Sequence, residues 1–166
     1  MLRRMIIMRH AKSSWKGETS DHDRPLNKRG RREAPLVAAQ LEERGWSPEL
    51  VISSDATRTR ETLARMVDQF HPWPQVEFTP ALYLAGPHAL REAVAGVADE
   101  IATVMALGHN PGWEEAVAWL ADERVQLATA DAALLESSGD SWREALREEG
   151  AWQLVEVLRA GEHDDD

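Results

Sequence analysis

The 166-residue chain contains no cysteine. That excludes disulfides, thiolate nucleophiles and Cys-ligated metals. Long apolar runs are missing too. Near the amino terminus the only such stretch is Met5-Ile6-Ile7-Met8, interrupted at Arg9. Four residues are too few for a secretion signal or a membrane span, so a cytoplasmic protein with no membrane partner is expected. A broad positive face is also lacking. The net charge is −10, with 14 Lys+Arg against 9 Asp+Glu in residues 1–65 and 5 against 20 in the remainder. Affinity for a phosphate backbone needs extended cationic surface, so no nucleic-acid partner is expected. A small cationic pocket in an acidic body suits a compact anion instead. Neither a Gly-x-x-x-x-Gly-Lys loop nor a Gly-x-Ser-x-Gly elbow occurs. Nothing pairs His22, His71, His88 and His163 at metal-ligand spacing.

With 43% hydrophobic residues the chain has material for one substantial core. Residues 1–160 are expected to form a single domain, and the acidic residues 161–166 a disordered tail. Met5 to Met8 suits a strand buried on both faces, ending in Arg9-His10. A polar loop follows over 16–25. Asn27 is placed to cap a helix over 28–44, which Pro35 should kink or split. Leu50-Val51-Ile52 forms a second strand ending in Ser53-Ser54-Asp55, and a helix of about 56–70 should bury Leu63, Met66, Val67 and Phe70. Val76-Glu77-Phe78 makes a short third strand, and Pro87 opens a helix carrying Leu90, Val94 and Val97. A fourth strand, Ile101 to Leu107, runs into Gly108-His109-Asn110-Pro111-Gly112. There Asn110 would cap a helix reaching about Leu120. Ala132 to Leu135 and Trp152 to Leu158 read as edge strands around a short helix at 142–147. Alternating strands and helices imply an α/β fold, a three-layer α/β/α sandwich on a mostly parallel sheet.

Ligands bind at the carboxyl ends of such strands. Taken alone, Arg9-His10 would be the polar edge of a strand. The second strand, however, places Arg58 one helical turn beyond its end, and the fourth ends at His109. Two arginines, two histidines and a helix amino terminus describe a site for a tetrahedral dianion. Lys28, Arg29, Arg31 and Arg32 read as a solvated helix face. Trp15 lies beside the presumed pocket, to contact substrate or to pack against the loop.

Arg9-His10 with Ser13 and Trp15, Ser53-Ser54-x-x-x-Arg58-x-x-x-Thr62, and Gly108-His109-Asn110-Pro111-Gly112 resemble the three signatures of the histidine phosphatase superfamily. Lys12-Ser13-Ser14-Trp15, Arg24-Pro25-Leu26 before Gly30, and Leu82-Tyr83-Leu84-Ala85 are more similar to its SixA-type phosphohistidine phosphatases. The likeness covers about residues 5–121 and implies a phosphoglycerate mutase-like fold. It implies that His10 is the nucleophile, forming a phosphohistidine on the enzyme that water then hydrolyses. It also implies that Arg9, Arg58 and His109 hold the phosphoryl oxygens. Such a clamp requires neither metal nor cofactor, and none is expected.

Two departures stand out. Where relatives carry a glutamate as general acid, this chain has Ala81-Leu82-Tyr83-Leu84. The family's asparagine six positions beyond the nucleophile is Lys16, taken with Ser13 as a substrate contact. An alkoxide is a poor leaving group without a proton donor, whereas imidazole, with a reference pKa of about 6.5, leaves more easily. Loss of the acid thus favours a phosphohistidine protein as partner, with Asp21 or Asp23 available as proton donor if their loop folds inward. Asp21-His22-Asp23 superficially resembles the haloacid-dehalogenase motif, but no apolar strand precedes it. The alternatives are a phosphomonoesterase acting on a small phosphorylated metabolite and a non-catalytic module that binds phosphate ion.

Overall fold

The computed structural model describes residues 1–161. The sequence-expected tail therefore lies outside the described residues from 162 onward. Six strands form one sheet in the order β3-β2-β4-β1-β5-β6. They are β1 (Leu2–Arg9), β2 (Leu50–Ser54), β3 (Gln75–Thr79), β4 (Thr103–Gly108), β5 (Ala132–Ser138) and β6 (Gln153–Leu158). The helices are α1 (Lys28–Glu43), α2 (Thr57–Ala64), α3 (Pro87–Ala95), α4 (Gly112–Ala121) and α5 (Trp142–Ala145). The first four strands pair in parallel, β5 is antiparallel to β1, and β6 antiparallel to β5. The α/β expectation holds, with the reversed strand confined to one side.

The apolar run of β1 explains its central place. Met5 and Ile7 point to one core with Leu90, Val94 and Trp113. Ile6 and Met8 point to the other with Val37, Leu41 and Leu63. All four β1 residues are fully buried, each contributing about 2 kcal/mol. The strand extends back to Leu2 because Arg3, though charged, is fully buried. Its guanidinium donates to the carbonyls of Gly139, Asp99, Ile101 and Asp140 at 2.7–3.1 Å.

Four local expectations are corrected. Pro35 does not split α1. One lost backbone hydrogen bond is outweighed by Ala34, Val37, Ala38 and Leu41, all fully buried. The second helix stops at Ala64, not 70, and a 3-10 turn over Val67–Gln69 follows. This tightening precedes Pro72, which disfavours helical conformation at His71. Asn110 does not cap α4; Pro111 occupies that position without a side-chain bond. The Asn110 amide instead donates to Glu114 Oε2 and Leu127 O. The last helix ends at Ala145 instead of 147. Among the described residues no helix is long and apolar enough to cross a membrane.

Candidate active site

Parallel pairing brings the carboxyl ends of β1, β2 and β4 to one edge of the sheet, with Arg9 opposite Gly108. His10 N donates to Gly108 O, and His10 O accepts from Ala130 N, which pins the residue between β4 and the approach to β5. Thr62 of α2 accepts from Ala11 N at 3.0 Å and fixes the next residue. The His10 ring is therefore aimed by three elements.

His10 Nδ1 lies 2.7 Å from Ala11 O. A carbonyl oxygen only accepts, so Nδ1 carries the proton and Nε2 keeps its lone pair. Arg58 Nε donates to that Nε2 at 3.3 Å. Burial lowers the His10 pKa to about 3, helped by positive charge at His109, Arg58 and Arg9, against the opposing Ala11 bond. At neutral pH the ring is uncharged.

His109 follows β4, its ring centroid 5.3 Å from that of His10. Its Nε2 meets Ser54 Oγ of β2 at 2.8 Å. Burial, then Arg58, lowers its pKa to about 4. Arg9 is anchored through Nη1 to Leu127 O at 3.0 Å, and burial draws its pKa down from the usual guanidinium value. Arg9 Nε and His109 Nδ1 are buried with no hydrogen-bond partner among the described residues. Buried polar atoms in that condition are costly unless an oxyanion or similar group meets them.

The short turn Asp21–Asp23 carries an anion to the same place. Asp21 Oδ2 accepts from Arg58 Nη2 at 3.1 Å and from the Tyr83 hydroxyl at 2.5 Å, while Oδ1 accepts from Arg24 Nε at 3.0 Å. Arg58 Nη1 also donates to Asp21 O at 2.7 Å. The Tyr83 bond first, then those from Arg24 and Arg58, lower the Asp21 pKa to about 2. These partners hold it as a carboxylate at neutral pH. The Tyr83 ring stands edge-on to His109, with centroids 5.4 Å apart.

These side chains surround a pocket of about 340 Å³ lined by Arg9, His10, Ser13, Asp21, Arg58 and His109. Two sequence-expected residues do not line it. Lys16 is exposed on the neighbouring surface, and Asp23 is turned to His22 Nδ1 at 3.6 Å. Lys12, Arg24, Asn110 and Thr129 line it without having been expected. Tyr83 was also missed as a site residue, because a phenol among apolar neighbours has no distinctive sequence pattern. Trp15 lines the pocket although the residue is 76% exposed, and the Arg24 guanidinium sits 3.5 Å from its ring centroid. A larger hollow of about 640 Å³ beside Trp119 is lined by Glu114, Glu115, Asp122, Glu123 and Glu149. Its five carboxylates make it unfavourable to an anion, in contrast to the cation-lined smaller pocket.

The family model for the histidine phosphatase superfamily (branch 1) matches residues 5–83. An uncharacterized chloroplastic protein of Arabidopsis thaliana is 44% identical over 92% of this chain and 75% of its own length. An uncharacterized protein of Mycobacterium tuberculosis is 34% identical over 90% of this chain and 92% of its own. Among solved structures, the candidate phosphohistidine phosphatase SixA of Nakamurella multipartitia superposes with a TM-score of 0.85. It is 27% identical and matches over 96% of this chain and 97% of that one. Its counterpart from Agrobacterium tumefaciens gives 0.80 at 26% identity, over 95% of this chain and 97% of that one. The chain belongs to the histidine phosphatase superfamily and is of the SixA type.

Proposed function

We propose that this phosphatase dephosphorylates a phosphohistidine on another protein through a phosphohistidine formed transiently on its own His10. In the first step the lone pair of His10 Nε2 attacks phosphorus in line. The bond from phosphorus to the substrate imidazole breaks, and its electron pair goes to that imidazole. In the second, water attacks the phosphorus, inorganic phosphate leaves, and His10 recovers its lone pair. Arg9, Arg58 and His109 would bind the three equatorial oxygens and stabilise charge as it builds. Nδ1–H bonded to Ala11 O keeps the proton away from the attacking nitrogen. This clamp works without a metal ion. The proposal covers one domain, residues 1–160, at a cytoplasmic location.

One observation carries the choice of substrate. The carboxyl group that reaches the pocket, Asp21, is held ionised by Tyr83, Arg24 and Arg58. No poised acid then awaits an alkoxide. A substrate imidazole can take its proton from solvent on the ring nitrogen far from phosphorus and leave neutral. The likeness to two SixA-type candidates supports the same reading. The test compares kcat/KM on a phosphohistidine protein with that on phosphoserine peptides and sugar phosphates. A preference of 100-fold or more is expected. Equal turnover would reassign the enzyme to phosphate esters of small metabolites.

A further inference from the structure

A second hollow opens beside the phosphate pocket and shares Lys12, Ser13 and Trp15 with it. Its volume is about 660 Å³, against about 340 Å³ for the pocket. Lys12, Lys16, Lys28, Arg29 and Arg31 line it, and no Asp or Glu does. In a chain of 29 acids and 19 lysines and arginines, that separation marks a local reversal of charge. Two segments build it. Ser14 N donates to Pro25 O and Asn27 N to Lys12 O, and a bridge joins Ser13 to Leu26. Gly30 permits the contact, since a Cβ there would lie 2.1 Å from Lys12 O. The turn after β1 and the start of α1 thus present their cations on one wall. Lys12, Lys16 and Lys28 form no side-chain ion pair with any described residue.

Resting on the functional reading above, we propose that this groove docks the acidic stretch of the partner protein that flanks the phosphohistidine offered to His10. Lys12, Lys16 and Lys28, with Arg31 beside them, lead out of the pocket and complement carboxylates that flank the reacting residue, while Arg29 is paired with Glu33 at 3.1 Å. The groove is about twice the volume of the phosphate pocket and continuous with it through Lys12, Ser13 and Trp15. A nucleic acid would extend past it over a body of charge −10 and be repelled, whereas a short acidic segment would not. Of the helix face that sequence suggested as solvated, Lys28, Arg29, Arg31 and Arg32, the first three are, on this reading, part of a recognition surface.

The experiment uses two peptides sharing one phosphohistidine core, one flanked by Asp and Glu, the other by Lys and Arg. At low salt the wild-type enzyme should show kcat/KM at least tenfold higher on the acidic peptide, through KM. The advantage should shrink with added salt. Lys16→Glu/Lys28→Glu should abolish it, and Lys28→Gln should halve it or more. Both positions are exposed, and Glu at the first turn of α1 suits the helix dipole. Equal use of both peptides, or a preference that survives the double variant, overturns the proposal. Anisotropy of a labelled, unphosphorylated acidic peptide reads the groove without hydrolysis, and its Kd should weaken at least tenfold in the double variant. Failure to hydrolyse phosphohistidine with that binding difference intact defeats the functional reading but not the groove. Hydrolysis with no flank preference defeats the groove alone. Tighter binding of a single-stranded oligonucleotide than of the peptide overturns it in favour of nucleic acid.

Discussion

Arg58 Nε donates to His10 Nε2 across 3.3 Å, joining residues 48 positions apart at the ring nitrogen that holds the free lone pair. The same guanidinium binds Asp21 through Nη1 and Nη2. On the proposed mechanism, one arginine both orients the nucleophile and supplies charge for the incoming phosphoryl group. Arg58→Ala should lower kcat by about 10²–10³, the usual cost of removing one preorganised stabiliser. Arg58→Lys should recover little, because an ammonium lacks the planar fork. Steady-state kinetics on both variants checks this, and loss in KM alone would contradict it.

Asp21 places a carboxylate on the cations that a phosphate would use. Asp21→Asn should tighten competitive inhibition by inorganic phosphate severalfold, while phosphohistidine turnover stays within about threefold of wild type. A general acid at this position behaves differently. Its loss costs about 10²-fold or more in kcat. Measuring kcat beside the phosphate inhibition constant separates the two roles.

The histidine pKa values predict a pH response. His10 and His109 are held at about 3 and about 4, below the usual 6.5. Both depressions mean that the unfolded chain binds these protons more readily than the folded one. Stability is unaffected by them above pH 6.5 and falls as pH drops from there toward 4. NMR should show neither ring titrating between pH 8 and 5, while the urea midpoint should hold down to about pH 6.5 and fall from there to pH 5. A ring titrating near 6.5 contradicts the buried, cation-crowded environment.

Gly30 tests the coupling of the His10 turn to α1. Its missing Cβ is what lets α1 approach Lys12 O. Gly30→Ala should cost about 2 kcal/mol or more by overpacking, and should lower kcat by shifting residues 10–15. Urea unfolding and kinetics together read both effects. An unchanged midpoint would show that the backbone yields without cost.

Much of this was legible in the sequence because burial on two faces leaves a continuous apolar run, as in Met5 to Met8. Three strand ends then located His10, Arg58 and His109 without coordinates. Other features depend on contacts that spacing does not encode. Which side of a loop faces inward decided Asp21 over Asp23 and Lys12 over Lys16. Tyr83 joins the site only through tertiary contacts with Asp21 and His109. Arg3 read as the charged start of a strand, yet four distant carbonyls satisfy it in the interior. Pro35 should have broken α1 by local rule, but packing against the sheet prevailed. Asn110 looked like a cap and was drawn off by Glu114 and Leu127.

Trapping the reaction with labelled phosphohistidine protein tests the covalent route most directly. The account predicts acid-labile, base-stable phosphate on His10 during turnover, with no label and no hydrolysis in His10→Ala. Label on another residue, or hydrolysis that survives the substitution, contradicts it.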